Sequence, residues 1–139
     1  MSFKDYLKNK KVVKGTPDMQ KVSSLIKMSK NHLKIVEKIE LTEETTSIIL
    51  SQAYESLRQV LEAMALKEGY RVYSHEAYVD FLLEKGEISF ANRFDRLRKL
   101  RNGINYYGKP VSKNITKAAL EEIKEMVEYL IKKYLGRLK

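Results

Sequence analysis

From Val22 to Leu135 the apolar residues of this chain recur at intervals of three and four, and no segment alternates apolar and polar residues for long enough to make a convincing strand. Residues so spaced share one face of an α-helix, which completes a turn in about 3.6 residues. The first such run carries Val22, Leu25, Ile26, Ser29, Leu33, Val36 and Ile39. Gly15-Thr16-Pro17-Asp18 precedes it, which predicts Thr16 as N-cap, Pro17 at the first helical position and an end near Glu40. The second run holds Ile49, Leu50, Ala53, Leu57, Val60, Leu61 and Met64. It follows the start signal Thr42-Glu43-Glu44 and closes at Gly69. Ser74-His75-Glu76 opens a shorter helix with Tyr78, Val79, Phe81, Leu82 and Leu83, stopping at Lys85-Gly86. A further helix is expected from Ser89 to about Asn105. The last begins near Thr116 and carries Leu120, Ile123, Met126, Val127, Leu130, Ile131, Tyr134 and Leu135.

Amphipathic helices on short connections must bury their stripes against one another. The expected fold is therefore all-α, an up-and-down four-helix bundle with the 74–85 helix as an additional short element. A chain of 139 residues makes one such domain. Residues 1–15 are expected to form a basic amino-terminal extension, loosely attached, in which Phe3, Tyr6 and Leu7 are followed by Lys8, Lys10, Lys11 and Lys14. Residues 16–139 are expected to form the bundle.

Several chemistries are excluded by composition. Without cysteine there is no disulfide, zinc-thiolate site or thiol nucleophile, and two histidines, His32 and His75, are too few for a histidine-rich metal centre. Glu43, Glu44, Glu55, Glu62 and Glu68 lack histidine partners at bundle spacing and read as a solvated face with one or two ion pairs. No metal and no cofactor are expected. The phosphate-loop, dinucleotide and nucleophile-elbow motifs are absent. The amino terminus has no apolar stretch of the signal-peptide kind, and no run approaches the roughly 20 apolar residues of a membrane span, so a cytoplasmic setting is expected.

The net charge of +9 is unevenly spread. Residues 1–40 carry +6, residues 41–88 carry −5, residues 89–115 carry +6 and residues 116–139 carry +2. Two basic zones flank an acidic helix, a pattern that attracts polyanions or fits an acidic partner. A plain lysine-rich solvated surface remains the other reading of the amino-terminal lysines.

The 89–105 segment departs from the simple pattern. Its stripe is Phe90, Phe94, Leu97, Leu100 and Ile104, and at about 100° per residue Arg101 falls in the middle of it. A guanidinium there must reach a carboxylate, a phosphate or a cleft formed with another chain. Arg93, Arg98, Asn102, Asn105, Tyr106 and Tyr107 surround it in sequence, giving cations for phosphate, amides for bases and aromatic faces for stacking. An internal ion pair with Glu55 or Glu62 is the structural alternative.

Leu100-Arg101-Asn102-Gly103-Ile104-Asn105-Tyr106-Tyr107-Gly108 is similar to the signature of HEPN domains, in which a late helix carries an arginine, often an asparagine next, and a histidine four to six residues on. The preceding helical order fits too, so the resemblance covers about residues 42–135. It implies a helical bundle that dimerises with the arginine helices facing across a cleft. In members that cleave RNA it implies phosphate held by the arginine and a proton moved by the histidine, without metal. Arg101 and Asn102 match the first part of that pattern. Tyr106 stands where the histidine would fall, and a phenol with a reference pKa of about 10 is a poor general base beside an imidazole at about 6.5. His75, on another helix, is expected to have a capping or surface role, and His32 to be solvated.

Branches of the family with tyrosine at this position resemble partner subunits of minimal nucleotidyltransferases, often in toxin–antitoxin pairs, with the tyrosines as acceptors for nucleotidylation. The resemblance thus implies a homodimer that binds a nucleotide or RNA through Arg93, Arg98, Arg101, Asn102, Asn105, Tyr106 and Tyr107 and works beside a nucleotidyltransferase. Any catalytic role would fall to Arg101 and Tyr106. A metal-independent ribonuclease with a degenerate motif and a non-catalytic structural interaction protein are the rival expectations.

Overall fold

In the computed structural model, which describes residues 2–136, the periodic segments are helices: α1 (Phe3–Lys8), α2 (Met19–Glu37), α3 (Thr46–Lys67), α4 (His75–Glu84), α5 (Ile88–Tyr107) and α6 (Lys113–Leu130). α6 runs on into a π-helical turn at Ile131–Leu135. Residues 1 and 137–139, at the ends of the two expected domain ranges, lie outside the described residues. No helix among the described residues is long and apolar enough to cross a membrane.

The four long helices form an up-and-down bundle, as pairs of touching residues show. Lys21 meets Glu62 and Ser29 meets Ser56, so α2 and α3 are antiparallel. Ser51, early in α3, meets Asn105, late in α5. Phe90 stacks edge-on against Tyr129 while Arg93 reaches Glu125, so α5 and α6 are antiparallel as well. α3 is the central helix. It is hydrophobic nearly all round, and Leu57, Val60, Leu61 and Ala63 are wholly buried, the signature of a helix enclosed by others. The α2–α3 seam also holds a polar ladder, in which Ser29 and Ser56 each donate a hydroxyl to the other's backbone carbonyl at 2.8 and 2.9 Å, with the two Oγ atoms 2.9 Å apart. His32, expected to be solvated, lies on this seam with Nδ1 2.9 Å from Gln59 Oε1.

The amino-terminal segment, expected to be loosely attached, is folded onto the bundle. Ser2 and Asp5 make a reciprocal capping box around α1, and Phe3 and Tyr6 are buried. Phe3 meets Tyr70 and Phe81 at ring-centroid distances of 5.1 and 5.4 Å. Two short strands not foreseen in the sequence complete the attachment. β1 (Val12–Lys14) pairs antiparallel with β2 (Tyr70–Val72), Val12 opposite Val72 and Lys14 opposite Tyr70. Three residues are too few for alternation to show in a sequence.

The strand pairing also moves the start of α2. Gly15 N–H donates to the Gly69 carbonyl, and Arg71 donates to the Thr16 carbonyl, so residues 15–16 continue the extended path. Asp18, and not Thr16, is the N-cap, its carboxylate accepting from Lys21 N–H at 3.1 Å. Gly69 is required here: its φ is +89°, and a Cβ would collide with the Gly15 carbonyl.

Candidate functional site

Beyond Leu97, α5 rises out of the core. Phe94 and Leu97 are fully buried, whereas no residue from Leu100 to Tyr107 is. This half of the helix presents Arg98, then Arg101 and Asn102 three and four residues on, then Tyr106 four residues after Asn102, toward one cavity. Opposite that face lies the start of α4, with Ser74, His75 and Glu76. Lys11 closes the third side, from the turn between α1 and β1. Together they line an open, polar cavity of about 320 Å³.

Lys11 owes its place to the amino-terminal fold. Lys10 takes the left-handed conformation at φ 60°, which reverses the chain after α1, and the Lys11 carbonyl accepts from Tyr73 N–H at 2.6 Å. Neither contact leaves a signal in the sequence beyond a run of lysines.

Arg101 lies between two tyrosine rings, its guanidinium carbon 5.4 Å from the centroid of buried Tyr54 and 5.9 Å from that of Tyr106. It donates to Asn102 Oδ1 at 3.2 Å. Among the described residues it has no carboxylate partner. The two acids offered as its partners are engaged elsewhere: Glu55 and Glu62 both accept from Arg58, at 2.6 and 2.7 Å. Most of the five N–H donors of Arg101 are thus left for something outside the chain.

Arg98 is more fully compensated. It donates twice to Asp95, the shorter bond at 2.8 Å, and lies 3.6 Å from Glu76. Burial pushes the Asp95 carboxyl up, but the hydrogen bonds from Arg98 and Lys99 outweigh it and hold it below the usual carboxylate range.

His75 joins the cavity in place of its expected capping or surface role. Ser74 is the N-cap of α4, and His75 Nδ1 lies 2.9 Å from Tyr54 Oη, the two rings stacked at 5.8 Å. Burial lowers the imidazole below its ordinary value, and the neighbouring cations Arg101, Arg58 and Arg98 lower it further against the opposing pull of Glu55. Burial pushes the Tyr54 phenol far up, so it stays protonated. The sequence carried one hint, a histidine at the first turn of a short helix, and nothing that linked it to Arg101.

Of the remaining residues singled out from the sequence, Arg93, Asn105 and Tyr107 lie outside the cavity lining. Arg93 lies about 80° round the helix from Arg101, against Glu122 and Glu125 of α6 at 3.8 and 3.5 Å. Asn105 accepts from Ser51 Oγ. Tyr107 is 76% exposed with Lys109 Nζ 6.0 Å from its ring centroid, while Tyr106, 70% exposed, forms the cavity rim. Gly108, at φ +61°, then ends the helix.

The arrangement suits an anion bearing several acceptor oxygens. Cations approach from two sides, and the N–H groups at the start of α4, uncapped by the Ser74 side chain, add partial positive charge. Compared with protein-family models and with curated proteins, the chain matches none.

Proposed function

We propose that the chain is a nucleotide- or RNA-binding homodimer of the HEPN type, holding phosphate at the Arg101 cavity and working beside a minimal nucleotidyltransferase in the manner of a toxin–antitoxin pair. The observation that carries this reading is the Arg101 guanidinium, which faces an open cavity with Lys11, Arg98 and His75 and has no carboxylate partner among the described residues. Tyr106 at the rim supplies an exposed aromatic face for a base and an accessible hydroxyl for a nucleotidyl group. The exposed rings of Tyr106 and Tyr107, adjacent at the end of α5, support a second copy facing this end of the helix.

The test is a titration of RNA into the protein over rising salt. Phosphate contacts release counterions, so log affinity falls linearly with log salt, and Arg101→Ala lowers the slope by about one contact's worth. Absence of RNA and nucleotide affinity at low salt removes the reading.

His75 favours one rival, the metal-independent ribonuclease, because it restores an imidazole that the motif itself lacks. In the tautomer whose Nδ1–H donates to Tyr54, Nε2 takes the proton from a ribose 2′-hydroxyl. The 2′-oxygen then bonds to phosphorus as the bond to the 5′-oxygen breaks, and that oxygen takes a proton from a water whose hydroxide receives the proton held by His75. Cleavage in excess chelator that disappears in His75→Gln supports this reading, and intact RNA refutes it.

A further inference from the structure

Resting on the phosphate-binding reading of the same cavity, we propose that its ligand is a phosphomonoester, a terminal phosphate on a nucleotide or RNA end, and that His75 binds it as an imidazolium by taking up a proton when the ligand enters.

Donor count and charge both point to a monoester. Lys11, His75 and Arg101 reach the cavity from the α1–β1 turn, from α4 and from α5, so their donors come from different sides instead of lying along a track. A phosphodiester within a strand offers two unsubstituted oxygens, whereas a monoester offers three. Lys11, Arg98 and Arg101 stand against Glu76 and the Asp95 carboxylate bound to Arg98, a formal +1 with His75 neutral that becomes +2 when His75 takes up a proton. That matches the dianion of a monoester, whose second pKa is about 6.

The charges around His75 make its protonation depend on the ligand. From α3 it faces Tyr54, Arg58 and Glu55; from α5, Arg98 and Arg101; within α4, Tyr78 and Glu76; and across the cavity, Lys11. Glu62 and Asp95 pair with Arg58 and Arg98, but Arg101 has no carboxylate partner among the described residues, so burial and the Arg101 guanidinium disfavour a proton on the ring before an anion binds. A phosphate dianion reverses the sign of the local field. The Tyr54 contact accommodates the change, because its phenolic oxygen accepts from Nδ1–H in the imidazolium while Nε2–H donates to the ligand. Nε2 has no hydrogen-bond partner among the described residues.

Calorimetry on the full chain at low salt and pH 7.5 tests this with three probes: a 5′-phosphorylated RNA oligomer, the same oligomer ending in a 5′-hydroxyl, and AMP. Each is titrated in two buffers of different ionisation enthalpy. The phosphorylated oligomer should bind at least tenfold more tightly than the hydroxyl form, with net proton uptake. His75→Gln keeps a donor but should lose the uptake and most of the preference. AMP binding as tightly as the phosphorylated oligomer assigns the site to free nucleotides, and weaker AMP binding assigns it to RNA ends. Equal affinity for the two oligomers, or a preference without proton uptake, overturns this proposal while leaving phosphate binding intact. Failure of all three probes to bind overturns both.

Discussion

Tyr54 Oη and His75 Nδ1 lie 2.9 Å apart, one on the central helix and the other at the first turn of α4, and this contact ties the hydrophobic core to the cavity that Arg101 faces. Tyr54 is itself stacked on Phe94 at 5.5 Å, so the imidazole is held by a ring that cannot move without disturbing the core. Tyr54→Phe keeps the stacking and removes the hydroxyl. It should cost about 1 kcal/mol in a denaturant melt. It should also broaden the His75 imidazole signals in NMR, where an unchanged spectrum would show that the contact does not fix the ring.

His75 also sets a pH dependence of stability. Its folded pKa lies below the unfolded value, so the unfolded chain binds more protons as pH falls below about 6.5. Stability from keeping the ring neutral is present above that value and is lost as pH falls toward the folded pKa. The thermal midpoint of the wild type should therefore drop more between pH 7.5 and 5.5 than that of His75→Gln. Parallel curves for the two proteins would contradict the assignment.

Two arginines of similar appearance in the sequence should behave oppositely. Arg58 is enclosed between Glu55 and Glu62, and Arg58→Ala leaves the half-buried Glu55 without a cationic partner and Glu62 with only Lys21 at 3.7 Å. It should destabilise the fold by about 2–3 kcal/mol. Arg101 has no such partner, so Arg101→Ala should leave stability within about 1 kcal/mol while lowering RNA or nucleotide affinity roughly 10- to 100-fold. Denaturant melts and fluorescence anisotropy on the same two variants separate the effects.

The helical frame was legible because periodicity is a local property. The stripes of α2, α3, α5 and α6 and the Ser74 start of α4 can be counted along the chain, and the bundle follows from burying them. What escaped depends on residues far apart in sequence. Lys11 reaches the cavity only because β1 pairs with β2 nearly 60 positions on, and the same pairing displaces the α2 cap from Thr16 to Asp18. His75 meets Arg101 only through the packing of α4 on α5. Arg93 is near Arg101 along the chain, but the rotation of about 80° between them turns it toward α6.

The amino-terminal segment offers a direct measure of how far its docking matters. Phe3 and Tyr6 are each under 5% exposed, and Phe3 fills a space between Tyr70 and Phe81. Phe3→Ala should cost about 3 kcal/mol, the usual penalty for emptying a buried aromatic site. A loosely attached extension would show a change within about 0.5 kcal/mol. Because the same segment carries Lys11, Phe3→Ala should also weaken phosphate binding, with a reduced salt slope.

The Ser29–Ser56 pair provides a test of the α2–α3 seam that is independent of any ligand. Each hydroxyl is wholly buried, and each donates to the other helix's backbone carbonyl while lying 2.9 Å from the other hydroxyl. Removing one oxygen leaves the other hydroxyl its carbonyl acceptor but strips the Ser carbonyl opposite of a donor, so Ser29→Ala or Ser56→Ala should each cost about 1–2 kcal/mol. The double variant removes both hydroxyls and leaves two alanines small enough for the same close helix approach. Its cost should fall short of the two single costs added together by about 0.5 kcal/mol or more, the signature of residues that act as one unit. Strict additivity in urea melts would mean that the two serines contribute separately to the seam.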